Sequence, residues 1–163
     1  MIIYEEILRE FARQKVKYVL VGGIAFNLLG GYRTTLDMDI LVEMTDKNIA
    51  KVVQILVAAG YHVKQPVDPM LLADKKARED WIKNKNLKAF NFYKGDLTYE
   101  EVDILIDSVI DYKKAACNAL RIKAGGLSLS VISRKDLIKM KKAAGREKDL
   151  RDIEELKIFG KTK

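Results

Sequence analysis

The hydrophobic pattern of the chain changes period several times, and each change marks an element. From Ile2 to Gln14, apolar residues recur at helical spacing (Ile3, Ile7, Leu8, Phe11), which predicts an amphipathic helix. Tyr18 to Val21 is a short β-rich run that stops at Gly22-Gly23. Ile24 to Leu29 then has room for about one and a half helical turns. Leu36 to Glu43 alternates as a second strand. Asp46 to Ala59 is a second amphipathic helix, capped by Thr45 or Asp46, with Ile49, Val52, Val53 and Leu56 inward and Gly60 as its stop. A short strand follows at Tyr61 to Lys64. Pro66 and Pro69 break the chain, and Met70 to Lys83 reads as a charged helix whose one large anchor is Trp81. Leu87 to Tyr93 and Tyr99 to Ile106 are strands on either side of a Lys94-Gly95-Asp96 turn. Asp111 to Asn118 is a helix, and Leu120 to Lys123 with Leu127 to Ile132 forms a hairpin around Gly125-Gly126. Ser133 caps a helix running to Ala144, whose face holds Leu137, Ile138, Met140 and Ala144. Gly145 ends it. Arg146 starts a last helix, reaching about Phe159, with Leu150, Ile153 and Leu156 inward. This mixture predicts an α/β (α+β) domain: a mixed β-sheet with helices packed on it and a helical C-terminal segment.

Candidate chemistry concentrates on the first two strands. Glycines at the end of a strand let the backbone turn and approach a ligand closely. A helix starting just after them points free N–H groups at that ligand, an arrangement that favours phosphate. Alternation along the second strand puts Asp37 and Asp39 on one face, about 6–7 Å apart, opposite Met38, Ile40 and Val42. Two such carboxylates can converge on a hard cation such as Mg²⁺. Alone, a D-x-D is usually a solvated pair and a Gly-Gly usually a turn. Their order and spacing, with thirteen residues between Gly23 and Asp37, single them out. Asp103, flanked by Val102 and Ile104, is costly to bury unless it is paired or ligates a metal. Asp107 falls at the strand end and reads as a turn residue. Lys141 lies in the middle of an apolar helical face, where it either snorkels to solvent or reaches across the domain to a buried anion. Arg146 and Asp149, at i and i+3, can pair with each other.

Composition narrows the choice. In 163 residues, 48% apolar and 33% charged, a single domain with a sizeable core is expected. The sequence shows neither a membrane-length apolar run nor a leader pattern, and Cys117 is the only cysteine, so a cytoplasmic protein is expected. His62 is the only histidine, which excludes His-rich zinc sites and Ser-His-Asp or Cys-His machinery. Any catalysis rests on carboxylates, metal, Lys or Arg. The net charge of +7 fits a phosphate-bearing ligand as well as a Lys-rich solubilising surface.

The order strand, Gly-Gly, helix, then Asp-x-Asp resembles the polymerase-β-like nucleotidyltransferase superfamily. The segment G-G-Y-R-T-T-L-D-M-D-I looks most like its small prokaryotic branch of AbiEii-type toxins and minimal nucleotidyltransferases, matching Arg-x-Thr-x-Asp-x-Asp at Arg33, Thr35, Asp37 and Asp39. M-K-K-A-A-G-R-E-K-D-L-R-D-I resembles the branch's C-terminal segment. Gly23 departs from the pattern, standing where many members have Ser. The resemblance implies the polymerase-β-like fold over residues 1–163, with an inserted segment at about 66–86 that is either a flap bordering the site or a connector whose Trp81 docks on the core. It implies a transfer of a nucleoside monophosphate from a triphosphate (ATP or another) to an acceptor hydroxyl by a two-metal mechanism with Mg²⁺ or Mn²⁺. Asp37, Asp39 and Asp103 would be the catalytic metal ligands. Gly22, Gly23, Arg33, Thr35 and Lys141 would bind phosphate, supported by Arg146, Asp149 and Asp152. A tRNA 3′ end, a protein and a small molecule all stay open as acceptor, as does a partner chain. No membrane association is expected. Two readings compete: a non-catalytic nucleotide-binding or antitoxin-like module on the same fold, and a basic nucleic-acid-binding protein acting through Arg134 to Lys148.

Overall fold

Where the central strands run apolar without a break, both faces of the sheet are covered. In β2 (Asp37–Val42), Ile40, Leu41 and Val42 are all buried, and in β1 (Tyr18–Leu20) every residue is. These coordinates are a computed structural model describing residues 3–95 and 97–160. The predicted roles of Ile2 and Asp96 fall outside them. Among the described residues seven strands form one sheet, in the order β3-β4-β5-β2-β1-β7-β6. They are β3 (His62–Val63), β4 (Ala89–Tyr93), β5 (Glu101–Leu105), β6 (Leu120–Ala124) and β7 (Leu127–Val131), besides β1 and β2. β2 is antiparallel to β1 and parallel to β5, and β1 is parallel to β7. The sheet is therefore mixed, with a helical C-terminal pair, as the sequence pattern predicts.

The helices are α1 (Glu5–Arg13), α2 (Gly22–Leu28), α3 (Asp46–Ala58), α4 (Lys75–Lys85), α5 (Tyr112–Asn118), α6 (Arg134–Ala144) and α7 (Glu147–Phe159). Thr45 caps α3 through Asn48 N–H at 3.3 Å, and Ser133 caps α6 through Asp136 N–H at 3.2 Å. Gly145 ends α6 in the left-handed conformation. Ile7, Leu8 and Phe11 of α1 enter the core, as do Ile49, Val52, Val53 and Leu56 of α3.

Several expectations are corrected. Ile3 precedes the first helix and is exposed, and Tyr4 takes the inward place. Gly22 and Gly23 do not precede α2 but form its first residues. The charged helix expected from Met70 is two pieces, a 3₁₀ turn over Pro69–Ala73 and then α4, because Asp74 caps a fresh start through Lys76 and Ala77 N–H. Trp81 is buried and stacks on Phe90 at 5.5 Å. Leu150 points outward, as does Ala144. The inward face of α7 instead carries Asp149, Asp152, Ile153 and Leu156, since it meets a buried lysine rather than a purely apolar surface.

Candidate active site

The parallel pairing of β2 with β5 sets Asp37 opposite Glu101 and Asp39 opposite Asp103. Side chains directly opposite on neighbouring strands share a face, so the two strands bring four carboxylates, Asp37, Asp39, Glu101 and Asp103, to one face of the sheet. Asp37 is exposed, while Asp39 and Asp103 are half-buried. Burial, then the negative charges of Asp103 and Asp37, push Asp39 up to about 7, against the opposing pull of Arg146 and Lys141. Burial also raises Asp103, and Asp37 and Glu101 add to this, although a hydrogen bond from Asn91 works the other way.

The glycines give this edge its room. Gly22 has φ +65°, and a Cβ there would lie 2.0 Å from Asp39 Oδ2. Only a residue without a side chain leaves the carboxylate its place. A Cβ on Gly23 would lie 2.4 Å from Thr35 Oγ1 and 3.1 Å from an Arg33 guanidinium nitrogen. The two glycines therefore sit against three of the other predicted site residues. Val21, the N-cap of α2, gives no side-chain cap, so the first N–H groups of the helix are left to water or a ligand. Asn27 holds the following loop by donating to the Arg33 carbonyl at 2.8 Å and accepting from Arg33 N–H at 3.2 Å.

The cationic side of the site comes from far along the chain. Lys141 is buried and donates to Asp152 Oδ2 at 2.6 Å, with Asp149 Oδ1 at 3.8 Å. The Arg33 guanidinium reaches the same Asp152 oxygen at 3.1 Å. Both cations stand over the ring of Phe26, at 5.5 Å for Lys141 and 5.7 Å for Arg33. Arg146 closes the network by donating to Asp149 Oδ2 at 2.6 Å. Burial alone would raise Asp149, yet the hydrogen bonds from Arg146 and the charges of Arg146 and Lys141 hold it below the usual carboxylate range. Of the two placements open to Lys141, the structure takes the inward one. Asp107 is apart from this group and pairs with Lys88.

Sequence reasoning misses three groups here. The hydroxyl of buried Tyr4 lies within hydrogen-bond reach of the carbonyl oxygens of Leu36 and of Glu101, the latter at 2.9 Å, and accepts from Glu101 N–H at 3.1 Å. It thus ties β2 to β5 just where the carboxylates begin. Asn91 donates to Asp103 Oδ1 at 2.6 Å, and Gln65 in turn bonds Asn91. Phe26 is the third. Only Asn91 leaves a signal in the sequence, as the polar residue between Phe90 and Phe92 in a buried strand.

Oxygen donors of this kind suit a hard divalent cation, and such an ion would offset the repulsion that adds to burial in raising Asp39. As placed, the carboxylates share an electrostatic field rather than one point. Among the described residues no three His, Cys, Asp or Glu side chains form a ready metal-holding group.

A family model described as "Nucleotidyltransferase of unknown function (DUF6036)" matches residues 1–163. The chain belongs to this nucleotidyltransferase family. Among curated proteins none matches it. The nucleotidyltransferase is similar in structure to the lincosamide antibiotic adenylyltransferase LnuA, solved with lincomycin bound. The TM-score is 0.60 at 20% identity, over 93% of this chain and 92% of that one. It is also similar to ANT(2")-Ia in complex with adenylyl-2"-tobramycin, at TM-score 0.61 and 15% identity, over 96% and 92% of the two chains. The solution structure of the antibiotic-resistance factor ANT(2'')-Ia matches at TM-score 0.59 and 13% identity, over 94% and 85%. The fold is that of the polymerase-β-like nucleotidyltransferases. No helix among the described residues is long and apolar enough to cross a membrane.

Proposed function

We propose that this nucleotidyltransferase moves a nucleoside monophosphate group from a nucleoside triphosphate to an acceptor hydroxyl, releasing pyrophosphate. The observation that carries the reading is the register of β2 and β5, which sets Asp39 beside Asp103 where Gly22 leaves space. Asp37, Asp39 and Asp103 would hold Mg²⁺, or Mn²⁺, in a two-ion arrangement. The ions, when bound, would neutralise charge on the α-phosphate and the departing pyrophosphate and acidify the acceptor hydroxyl.

The chain's own groups divide the remaining work. The backbone of Gly22 and Gly23 admits phosphate close to α2, with the Thr35 hydroxyl and the cations of Arg33 and Lys141 beside it. Lys141 spends one of its three donors on Asp152 and keeps the others for phosphate. Arg146 and Asp149, with Asp152, hold Lys141 in place. The acceptor oxygen attacks the α-phosphorus in line, and the bond from that phosphorus to the bridging oxygen breaks. The electron pair leaves with pyrophosphate, and the acceptor proton passes to Asp103. The Arg33-x-Thr35-x-Asp37-x-Asp39 spacing supports a place in the branch that holds the AbiEii-type proteins. The ligands of the two solved neighbours make lincomycin and tobramycin the first acceptors to try, ahead of tRNA or a protein hydroxyl.

Calorimetric titration of ATP, GTP, CTP and UTP tests the donor half without an acceptor. Wild type is expected to bind at least one of them in a Mg²⁺-dependent way, and Asp37→Asn/Asp39→Asn to lose that dependence. Folded wild type that ignores all four, or a double variant that binds like wild type, overturns the reading.

A further inference from the structure

We propose that Gln65 and Asn91 form an orienting relay that decides which oxygen of Asp103 faces the acceptor. The proposal rests on the transferase reading above and concerns two residues to which that reading gives no role. Both are half-buried. Asn91 is the cross-strand partner of Asp103 in the β4–β5 pair, and Gln65 follows β3 immediately before the segment that opens at Pro66.

The direction of every bond in the relay follows from one backbone group. The Asn91 main-chain N–H can only donate, and it donates to Gln65 Oε1 at 3.0 Å. That fixes the Gln65 amide, so its Nε2 faces Asn91 Oδ1, at 2.6 Å, as a donor. The Asn91 amide is fixed in turn, and its Nδ2 donates to Asp103 Oδ1 at 2.6 Å. Neither amide can flip without setting two acceptors or two donors against each other. Asp103 Oδ1 is consequently the engaged oxygen, and Oδ2 is left for the acceptor hydroxyl. Neither Gln65 nor Asn91 needs to touch a substrate, so both are positioning residues.

Two substitutions at Gln65 separate orientation from ordinary structural support. Gln65→Met removes both hydrogen bonds but leaves Asn91 free to keep donating to Asp103. Gln65→Glu keeps an acceptor for Asn91 N–H but puts a second acceptor against Asn91 Oδ1. Relief comes only by turning the Asn91 amide over, which sets its oxygen against Asp103. A merely structural pair predicts that Met is the more damaging change. The relay predicts the reverse.

Pyrophosphate release is measured with ATP, GTP, CTP and UTP, each with Mg²⁺ and with water as the attacking group. Gln65→Met is expected to lower kcat by less than about tenfold, the scale of neutral hydrogen bonds. Gln65→Glu is expected to lower it on the order of 100-fold, with KM for the triphosphate little changed, as for a misplaced catalytic group. The second readout needs no turnover. In nuclear magnetic resonance spectra of the metal-free protein, Asp103→Ala is expected to move the Asn91 side-chain amide signal in the wild-type and Gln65→Met backgrounds but not with Gln65→Glu. A Met variant as impaired as the Glu variant, or an Asn91 amide signal indifferent to Asp103 in the wild-type background, overturns the relay. Should Asp37→Asn release pyrophosphate as fast as wild type, the transferase reading fails instead. Should no variant turn over, the amide signals alone decide the relay.

Discussion

Replacing Asp39 with Asn takes a negative charge away from a place that resists it. Burial and the carboxylates of Asp103 and Asp37 raise this group from 3.8 to about 7. At 1.36 kcal/mol per pH unit the rise corresponds to about 4 kcal/mol. Relaxation and water entry screen such interactions, so about 1–3 kcal/mol is the measurable expectation. The sign follows from linkage: the native state holds the proton more tightly than the unfolded chain. The favourable contribution is complete below about pH 4 and is lost as pH rises through 7, and by pH 8 the native state carries the full cost. Metal-free Asp39→Asn is therefore expected to be more stable than wild type by about 1–3 kcal/mol at pH 8 and to match it near pH 4. Urea unfolding followed by circular dichroism, with a chelator present, measures the difference across this range. Titrating groups that do not interact with Asp39 are common to both proteins and cancel. Added Mg²⁺ is expected to stabilise wild type more than the variant. A variant no more stable than wild type at pH 8, with no trend in the difference, would refute the idea that burial and the neighbouring carboxylates disfavour a charge on Asp39.

Two other substitutions probe the site from its glycine and its cationic sides. Gly22→Ala places a methyl against Asp39 in a backbone conformation that L-residues resist, so a loss of at least about 2 kcal/mol is expected. Unfolding midpoints and pyrophosphate release measure it, and a well-folded, active variant would contradict the 2.0 Å approach. Lys141→Met takes from buried Asp152 its closer cation, leaving Arg33, and from Asp149 one of its two, leaving Arg146, and is expected to cost about 1.5–3 kcal/mol, the scale of hydrogen bonds to charged groups. Adding Asp152→Asn is expected to recover part of the stability but none of the triphosphate affinity. Urea midpoints and calorimetry read the two effects separately, and a single variant within about 1 kcal/mol of wild type would contradict the buried pairing.

The features legible in the sequence are those whose cause is local. Strand alternation carries Asp37 and Asp39, and the Gly22-Gly23 break is visible beside them. Ser133, Thr45 and Gly145 announce helix ends through their own chemistry. Asp103 is legible because an acid between Val102 and Ile104 is costly without a partner. What stays hidden is set by tertiary contact. Leu150 looks inward until Lys141 claims that face of α7 for Asp149 and Asp152. Tyr4 looks like an ordinary residue near a helix start, because its partners, Leu36 and Glu101, lie 32 and 97 positions away. Gln65 has no local signature at all. Its role exists only once β3 and β4 have paired.

The contact between Arg33 and Asp152 joins residues 119 positions apart. During synthesis, the loop after α2 and both acids of β2 leave the ribosome long before α7 does. The acidic edge can therefore assemble while its cations still lack their counter-charge. Until α7 emerges, Arg33 lacks the carboxylate that holds it over Phe26, and Lys141 lacks both of its buried partners, Asp149 and Asp152. The half of the site that handles phosphate is therefore set only after residue 152 has been made, 119 positions beyond Arg33.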